Sequence, residues 1–244
     1  MDNQLRSLAN QMKQADSITV LTGAGVSTAS GIPDFRSATG IWTEDHSREY
    51  YMSRDYFHDN PEDFWLKYKQ IFRLKLLKNY VPNHVHLFLR ELEQEAGKRI
   101  SIVTQNVDGL HSMAGNRHVI EYHGNLNTAA CLTCGRKYDL EYVMNQEIPR
   151  CLERGCGDVL KPDIVLFGDP ITQHEEAEAA VEKADFLLVL GTSLLVSPFN
   201  LLPLYARSYR IPSGLINRET TPMDEQFDYV VHKDLSKAVS ELQI

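Results

Sequence analysis

The stretch GAGVSTASGIPDFRS, residues 23–37, follows the β-branched run SITVLT at 17–22, and the reading of that junction decides the fold. A strand that ends in Gly-x-Gly can turn sharply, and it leaves backbone N–H groups bare enough to approach a phosphate. The junction therefore reads as a nucleotide-binding turn. It departs from the usual dinucleotide fingerprint, because the third glycine would fall at Thr28 and no acidic residue ends a second strand about 20 residues on. A plain strand-to-helix turn is the alternative. Against it stands the continuation Ser30-Gly31-Ile32-Pro33-Asp34-Phe35-Arg36, which packs a turn glycine, a rigid proline, an acid, an aromatic and a cation into one loop. A mere connection is more uniformly polar, so the loop is expected to cover a ligand.

Upstream, residues 4–14 place Leu5, Leu8, Ala9 and Met12 on a helical stripe. Downstream, residues 38–60 show no clear period and read as irregular. Pro61 with Asn60 as N-cap starts a helix through Phe64, Trp65, Tyr68, Ile71, Phe72 and Leu76, and Asn83 caps another that carries Leu87, Leu89 and Leu92. Residues 100–104 form the next strand. The apolar runs 163–167, 186–190, 214–217 and 229–231 follow, separated by helix-length segments. Near-continuous hydrophobic strands alternating with helices predict an α/β fold, a Rossmann-like parallel sheet with helices on both faces. Ligands gather at the carboxyl ends of such strands. Gly23 onward, Gln105 onward, Gly168, Gly191-Thr192-Ser193 and Asn217-Arg218-Glu219 are thus expected along one edge.

The 244 residues suit one large domain with an appendage, or two small ones. A formal net charge of −8 gives no global attraction to nucleic acid or to an anionic membrane, and favours cationic partners such as lysine-rich protein segments. No signal-peptide core opens the chain, and no run of about 18 apolar residues exists to span a bilayer. A reducing, cytoplasmic location is expected, where metal ligation beats disulfides. The cysteines are CLTC (Cys131, Cys134) and CLERGC (Cys151, Cys156), 16 residues apart. Two such knuckles make a tetrahedral thiolate site, read as one structural zinc, with a rubredoxin-like iron or a redox pair as alternatives. Four protein ligands leave no open position for substrate. Structural zinc contributes about 10–16 kcal/mol of apparent binding energy, enough to fold a segment too small for its own core. The expected division is a Rossmann-like domain of residues 1–36, 80–125 and 160–244, a helical and loop insertion at 37–79, and a zinc-ribbon module at 126–159.

TQNVDGLH, residues 104–111, follows a strand with Gln105, Asn106 and Asp108 in a dense polar set, and Glu121-Tyr122-His123-Gly124-Asn125 comes about twelve residues later. Asp and Asn beside a turn glycine also serve as helix caps, and a lone histidine is more often a surface or hydrogen-bonded core residue. The sheet rule nevertheless brings the 105–108 turn beside the glycine loop. A histidine there, with a pKa near 6.5, suits general-base work at neutral pH.

In order along nearly the whole chain, GAGVSTASGIPDFR, Pro82-Asn83 with His86, TQNVDGLH, Glu121 with His123-Gly124, the four cysteines, KPDIVLFGD, GTSLLVSP and LINRE resemble the sirtuins, the NAD-dependent protein-lysine deacylases. The resemblance implies NAD, consumed as co-substrate, against Ala24, Thr28, Phe35 and Arg36, with Phe35 shielding the reacting ribose. It implies Gln105 and Asn106 beside the ribose, and Val107 and Asp108 at the nicotinamide. Thr192, Ser193 and Asn217 would hold the adenosine half, with a main-chain contact near Asp234. His123 corresponds to the family's catalytic base, and Asn106 would position hydroxyls or water. Val165, Phe167 and Gly168 resemble the segment that pairs with an extended acyl-lysine peptide. The implied reaction releases nicotinamide and passes the acyl group from lysine to ADP-ribose. Succinyl-preferring sirtuins carry Tyr and, three residues later, Arg; here Tyr68 is followed by Ile71, so acetyl or another neutral acyl group is expected. Protein mono-ADP-ribosyl transfer from the same cleft is the alternative activity, and a non-catalytic zinc and nucleotide binding module the alternative class. No specific nucleic-acid partner is expected, and a monomer is the expected state.

Overall fold

The computed structural model describes residues 3–34, 45, 47–72, 80–94 and 96–242. α1 (Asn3–Gln14) buries Leu5, Leu8, Ala9 and Met12 and leads into β1 (Ser17–Thr22). β1 pairs in parallel with β2 (Arg99–Thr104) on one side and β7 (Phe186–Leu190) on the other. β3 (Val119–Glu121) extends the sheet beyond β2, and β8 (Ser213–Asn217) and β9 (Tyr229–His232) extend it beyond β7. The order β3-β2-β1-β7-β8-β9, all parallel, is the Rossmann order, with its reversal between β1 and β7.

Alternation along the strands sends side chains to two cores. Val20, Ile102, Leu188 and Ile216 pack with α1, with α5 (His84–Gln94) and with α10 (Leu235–Glu241). Leu21, Val103, Leu187, Val189 and Leu215 pack against α8 (His174–Glu182) and α9 (Leu202–Ser208). The expected sheet with helices on both faces is therefore present. No helix among the described residues is long and apolar enough to cross a membrane.

The run at 163–167 corrects the expectation of another parallel strand. β6 (Lys161–Ile164) lies instead in a second, three-stranded antiparallel sheet of order β5-β4-β6, with β4 (Gly124–Ala130) and β5 (Lys137–Asp139). A short buried run has no periodicity that names its sheet. The deciding residue is Gly124, at φ 73°, where an added Cβ would sit 1.9 Å from the Asp163 carbonyl oxygen. Only glycine lets β4 turn that tightly onto β6. The sixth parallel strand is β3, three residues long and unread in the sequence.

The segment read as irregular also differs, since its described part holds α2 (Ser47–Tyr51) and α3 (Arg54–Asp59). Helices of five or six residues are too short to show a period. Ser53 caps α3 by accepting from Tyr56 N at 3.1 Å, and Tyr50, Tyr51 and Tyr56 meet edge to face. α4 (Pro61–Ile71) starts at Pro61 as expected, although the Asn60 side chain makes no capping bond; Leu76 lies outside the described residues. Phe57, Phe64, Trp65, Tyr68 and Phe72 form a third core with Leu126, Leu160 and Ile164. The Trp65 indole donates to the Leu160 carbonyl at 2.7 Å, and α7 (Leu140–Asn145) closes the unit.

Cys131 and Cys151 are buried in that third core, and Cys134 and Cys156 stand at its surface. All four sulfurs lie within 4.8 Å of one another, with Cys131–Cys156 and Cys134–Cys151 each 3.5 Å apart. A zinc–sulfur bond of about 2.3 Å makes a tetrahedron with edges of roughly 3.8 Å, so the set fits a structural zinc site. Metal analysis is expected to find one zinc per chain, and chelation to raise hydrogen exchange across residues 126–160. Unchanged exchange after complete metal loss would refute a structural role.

Beside the carboxyl end of β1, His86 of α5 and His111 of α6 (Leu110–Met113) are buried with rings 4.8 Å apart. His86 Nδ1 accepts from Asn83 N, and His111 Nε2 bonds Thr22 Oγ1. His86 Nε2 and His111 Nδ1 are buried without a partner. Burial pulls the His86 pKa down to about 4 against the opposing Asp108 charge, and it pulls His111 well below its usual value, with His86 adding to the effect. The unfolded chain protonates both near pH 6.5. Between that pH and about 4 it binds more protons than the native state, so stability falls as pH falls through this window. Urea midpoints measured from pH 7.5 to 5 are expected to decline, with up to two protons taken up on unfolding from this pair; a flat series would contradict the burial.

Candidate functional site

At the reversal between β1 and β7 the chain makes a backbone-to-backbone contact. Gly25 N donates to Gly191 O at 2.9 Å, and a Cβ on Gly25 would lie 2.8 Å from Gly191 Cα. The Gly-x-Gly of the first loop thus serves close approach. Two short 3-10 turns, Ala24–Val26 and Thr28–Ser30, carry the loop from there to Gly31.

A cleft of about 760 Å³ opens above this contact. Ala24 and Thr28 line it from the first loop, and Gln105, Asn106 and Val107 from the turn after β2. His123, Val165, Phe167 and Gly168 form its far wall, and Ser193, Asn217 and Asp234 its β7–β9 side. Asp108 and Thr192 sit behind the lining. Phe35 and Arg36 lie outside the described residues.

The polar side chains are held by one another. Asn106 Nδ2 donates to Gly23 O at 3.0 Å and to Ser27 Oγ at 3.1 Å, which fixes its amide orientation. Gln105 Nε2 donates to Thr192 Oγ1, joining the β2 and β7 loops. Asp108 accepts from Ser27 Oγ at 2.7 Å and from Leu110 N at 3.0 Å, so its carboxylate ties the first loop to the start of α6. Asn217 donates to Glu219 O, and Asp234 caps α10 through Lys237 N.

His123 follows β3 and precedes the Gly124 turn. Its Nδ1 lies 3.3 Å from the Gln105 carbonyl, which only accepts, so the proton sits on Nδ1 and Nε2 is left as the basic nitrogen. Burial lowers its pKa, and the bond to Gln105 only partly opposes this. The imidazole is neutral at pH 7. Tyr122 supports it from behind, ring to ring at 5.3 Å, with its hydroxyl 2.7 Å from His174 Nδ1.

The wall at 165–168 is partly committed. Val165 N donates to His123 O, while Phe167 N donates to Met52 O and Phe167 O accepts from Arg54 N. Met52 and Phe72 also line the cleft. Sequence reasoning missed both, and neither carries a signal beyond being an apolar residue near the small core. Tyr68 is buried in that core and is not among the lining residues, nor is Ile71.

The Sir2 family profile matches residues 23–198, a span that holds the glycine loop, the 105–108 turn, His123 and the four cysteines. A relative from Geobacillus kaustophilus (strain HTA426), named NAD-dependent protein deacetylase 2, is 47% identical over 99% of this chain and 97% of its own length. A solved structure described as showing the basis for the mechanism and regulation of Sir2 enzymes has a TM-score of 0.87 at 34% identity, covering 99% of this chain and 97% of that one. Another, a Sir2 with a deacetylated p53 peptide and 3′-O-acetyl ADP-ribose, has a TM-score of 0.87 at 32% identity, covering 97% and 96%. On its profile match, its full-length relative and its fold, this chain belongs to the Sir2 family, the sirtuins.

Proposed function

We propose that the protein is an NAD-dependent protein-lysine deacylase, acting as a deacetylase, that passes the acyl group from lysine to ADP-ribose with release of nicotinamide. The observation that carries this reading is His123, its Nδ1 proton held by Gln105 and its Nε2 free, in one cleft with the glycine loop and the 165–168 wall. The deacetylase name of the Geobacillus relative and the acetyl ADP-ribose of the solved Sir2 structure support it.

When bound, NAD would supply an electrophilic ribose carbon, with nicotinamide as the leaving group and the acyl-lysine oxygen as the group that takes its place. The chain positions and shields that carbon. Ala24, Thr28, Phe35 and Arg36 are assigned to the cofactor, and Gln105 and Asn106 to its ribose. Val107 bounds the nicotinamide end, with Asp108 assigned to it from behind through its hold on Ser27, while Thr192, Ser193, Asn217 and Asp234 hold the adenosine end, Thr192 through its bond to Gln105. His123 removes a ribose hydroxyl proton at Nε2, and Asn106, fixed by Gly23 and Ser27, orients the hydroxyls. Because Met52 and Arg54 take both backbone groups of Phe167 and His123 takes the Val165 N–H, peptide pairing is assigned to the Val165 carbonyl and to Gly168, with the Phe167 ring, 40% exposed, as an apolar contact.

Met52, Phe72, Val107, Ile164 and Leu166 give the cleft an apolar stretch of lining, and Arg218 is the cation among its described lining residues. A charged acyl group set against that apolar stretch would be desolvated, which supports a neutral acyl preference. The domain division given above, a monomeric state and a cytoplasmic location belong to the same reading; four thiolate zinc ligands suit a reducing compartment.

Incubation of an acetyl-lysine peptide with NAD is expected to show, by mass spectrometry, loss of the acetyl mass and formation of acetyl ADP-ribose. An untouched peptide, or one that gains an ADP-ribose mass instead, overturns the reading. His123→Ala is expected to lower kcat/KM by about 10²–10⁴-fold. With burial lowering the His123 pKa, wild-type kcat/KM rises with pH through a limb below pH 6.5 and is level at neutrality; a limb above 7 would exclude His123 as the base. Across an acyl series, succinyl-lysine is expected to turn over far more slowly than acetyl-lysine, and equal rates would refute the neutral pocket.

A further inference from the structure

We infer that Asn83, at the start of α5, is a positioning residue for the cofactor loop, an inference that rests on the proposed NAD cleft. Its side chain works in two directions. Oδ1 accepts from Val85 N at 2.9 Å, the capping bond of α5. Nδ2 donates to Val26 O at 2.8 Å and to Ser30 Oγ at 2.9 Å. Val26 and Ser30 end the two 3-10 turns of the loop, and Thr28 and Ala29, between them, face the cleft.

One amide therefore pins both turns to a helix that is itself fixed, because α5 buries Val85, Leu89 and Leu92 against the sheet. Gly25 and Ser27 are fastened independently, to Gly191 and Asp108. The Ser30 end has Asn83 as its side-chain anchor just before Gly31, at φ 85°, turns the chain into Ile32 and Pro33. The amide does both tasks at once, because the helix needs an acceptor and the loop needs a donor.

Asn83→Asp separates the two. Aspartate caps a helix as well as asparagine, but it offers no donor and sets a carboxylate against the Val26 carbonyl. Calorimetric binding of NAD and steady-state kinetics are the readouts, with wild-type binding of NAD as the separate check on the cleft itself. The variant is expected to lower the thermal midpoint by only a few degrees and to keep the wild-type peptide KM, while its NAD Kd and NAD KM rise about tenfold, the scale of one to two lost hydrogen bonds. Ser30→Ala, which removes one acceptor and leaves the cap intact, is expected to raise NAD Kd by a smaller factor, roughly three- to fivefold. Should Asn83→Asp bind NAD like wild type, or lose stability and peptide affinity in proportion, the positioning role is overturned. If Asn83→Asp does not fold, an unchanged NAD Kd for Ser30→Ala overturns it instead. If wild type itself fails to bind NAD, the functional reading falls first and this inference with it.

Discussion

Two stretches of bare backbone in contact, at Gly25 and Gly191, are what the rest of the site is built on. The Rossmann order sends connections from β1 and β7 away in opposite directions, so a crevice opens where these neighbours end. Its floor is closed by the Gly25 N–H on the Gly191 carbonyl, with no room for a Cβ on either residue. This approach brings the loop after β1, the turn after β2 and the loop after β7 within reach of one another's short polar side chains. Asn106 meets Gly23 and Ser27, Asp108 meets Ser27, and Gln105 meets Thr192. A wider floor would leave these groups buried and unpaired, at about 1–3 kcal/mol each.

His123 occupies the joint between two cores. Its ring is oriented by the β2 turn of the large sheet, its carbonyl accepts from Val165 beside the small sheet, and the next residue is Gly124, the first of β4 in that sheet. The placement of its imidazole therefore depends on both units. The cysteine cluster stands apart from the cleft and acts on it through packing, by holding the core that supplies Met52, Phe72 and Leu166.

Much of this was legible in residue order. The strands at 17–22, 186–190 and 214–217 announced themselves as apolar runs, Asn83 as a cap, and the cysteine pairs as a tetrahedral set. The sheet rule also brings Ala24, Gly25, Gln105, Gly191 and Asn217 toward one edge. Less legible was anything whose signal is shorter than its period: α2, α3 and β3 are each five or six residues or fewer. The 163–167 run read as a strand and was one in part, yet its sheet depended on a glycine 39 residues earlier meeting the Asp163 carbonyl.

Residue order alone determined the secondary-structure periods, the ligand set for a metal and the roster of polar groups near the strand ends, because these follow from propensity, spacing and chemistry within a few residues. Tertiary structure decided which nitrogen of His123 is basic, which backbone groups at 165–168 are already paired, and that Asn83 serves a loop as well as a helix. Each of those rests on a hydrogen bond between segments far apart in the chain. Such bonds exist only after burial has set the distance between their partners, and no local pattern encodes that distance.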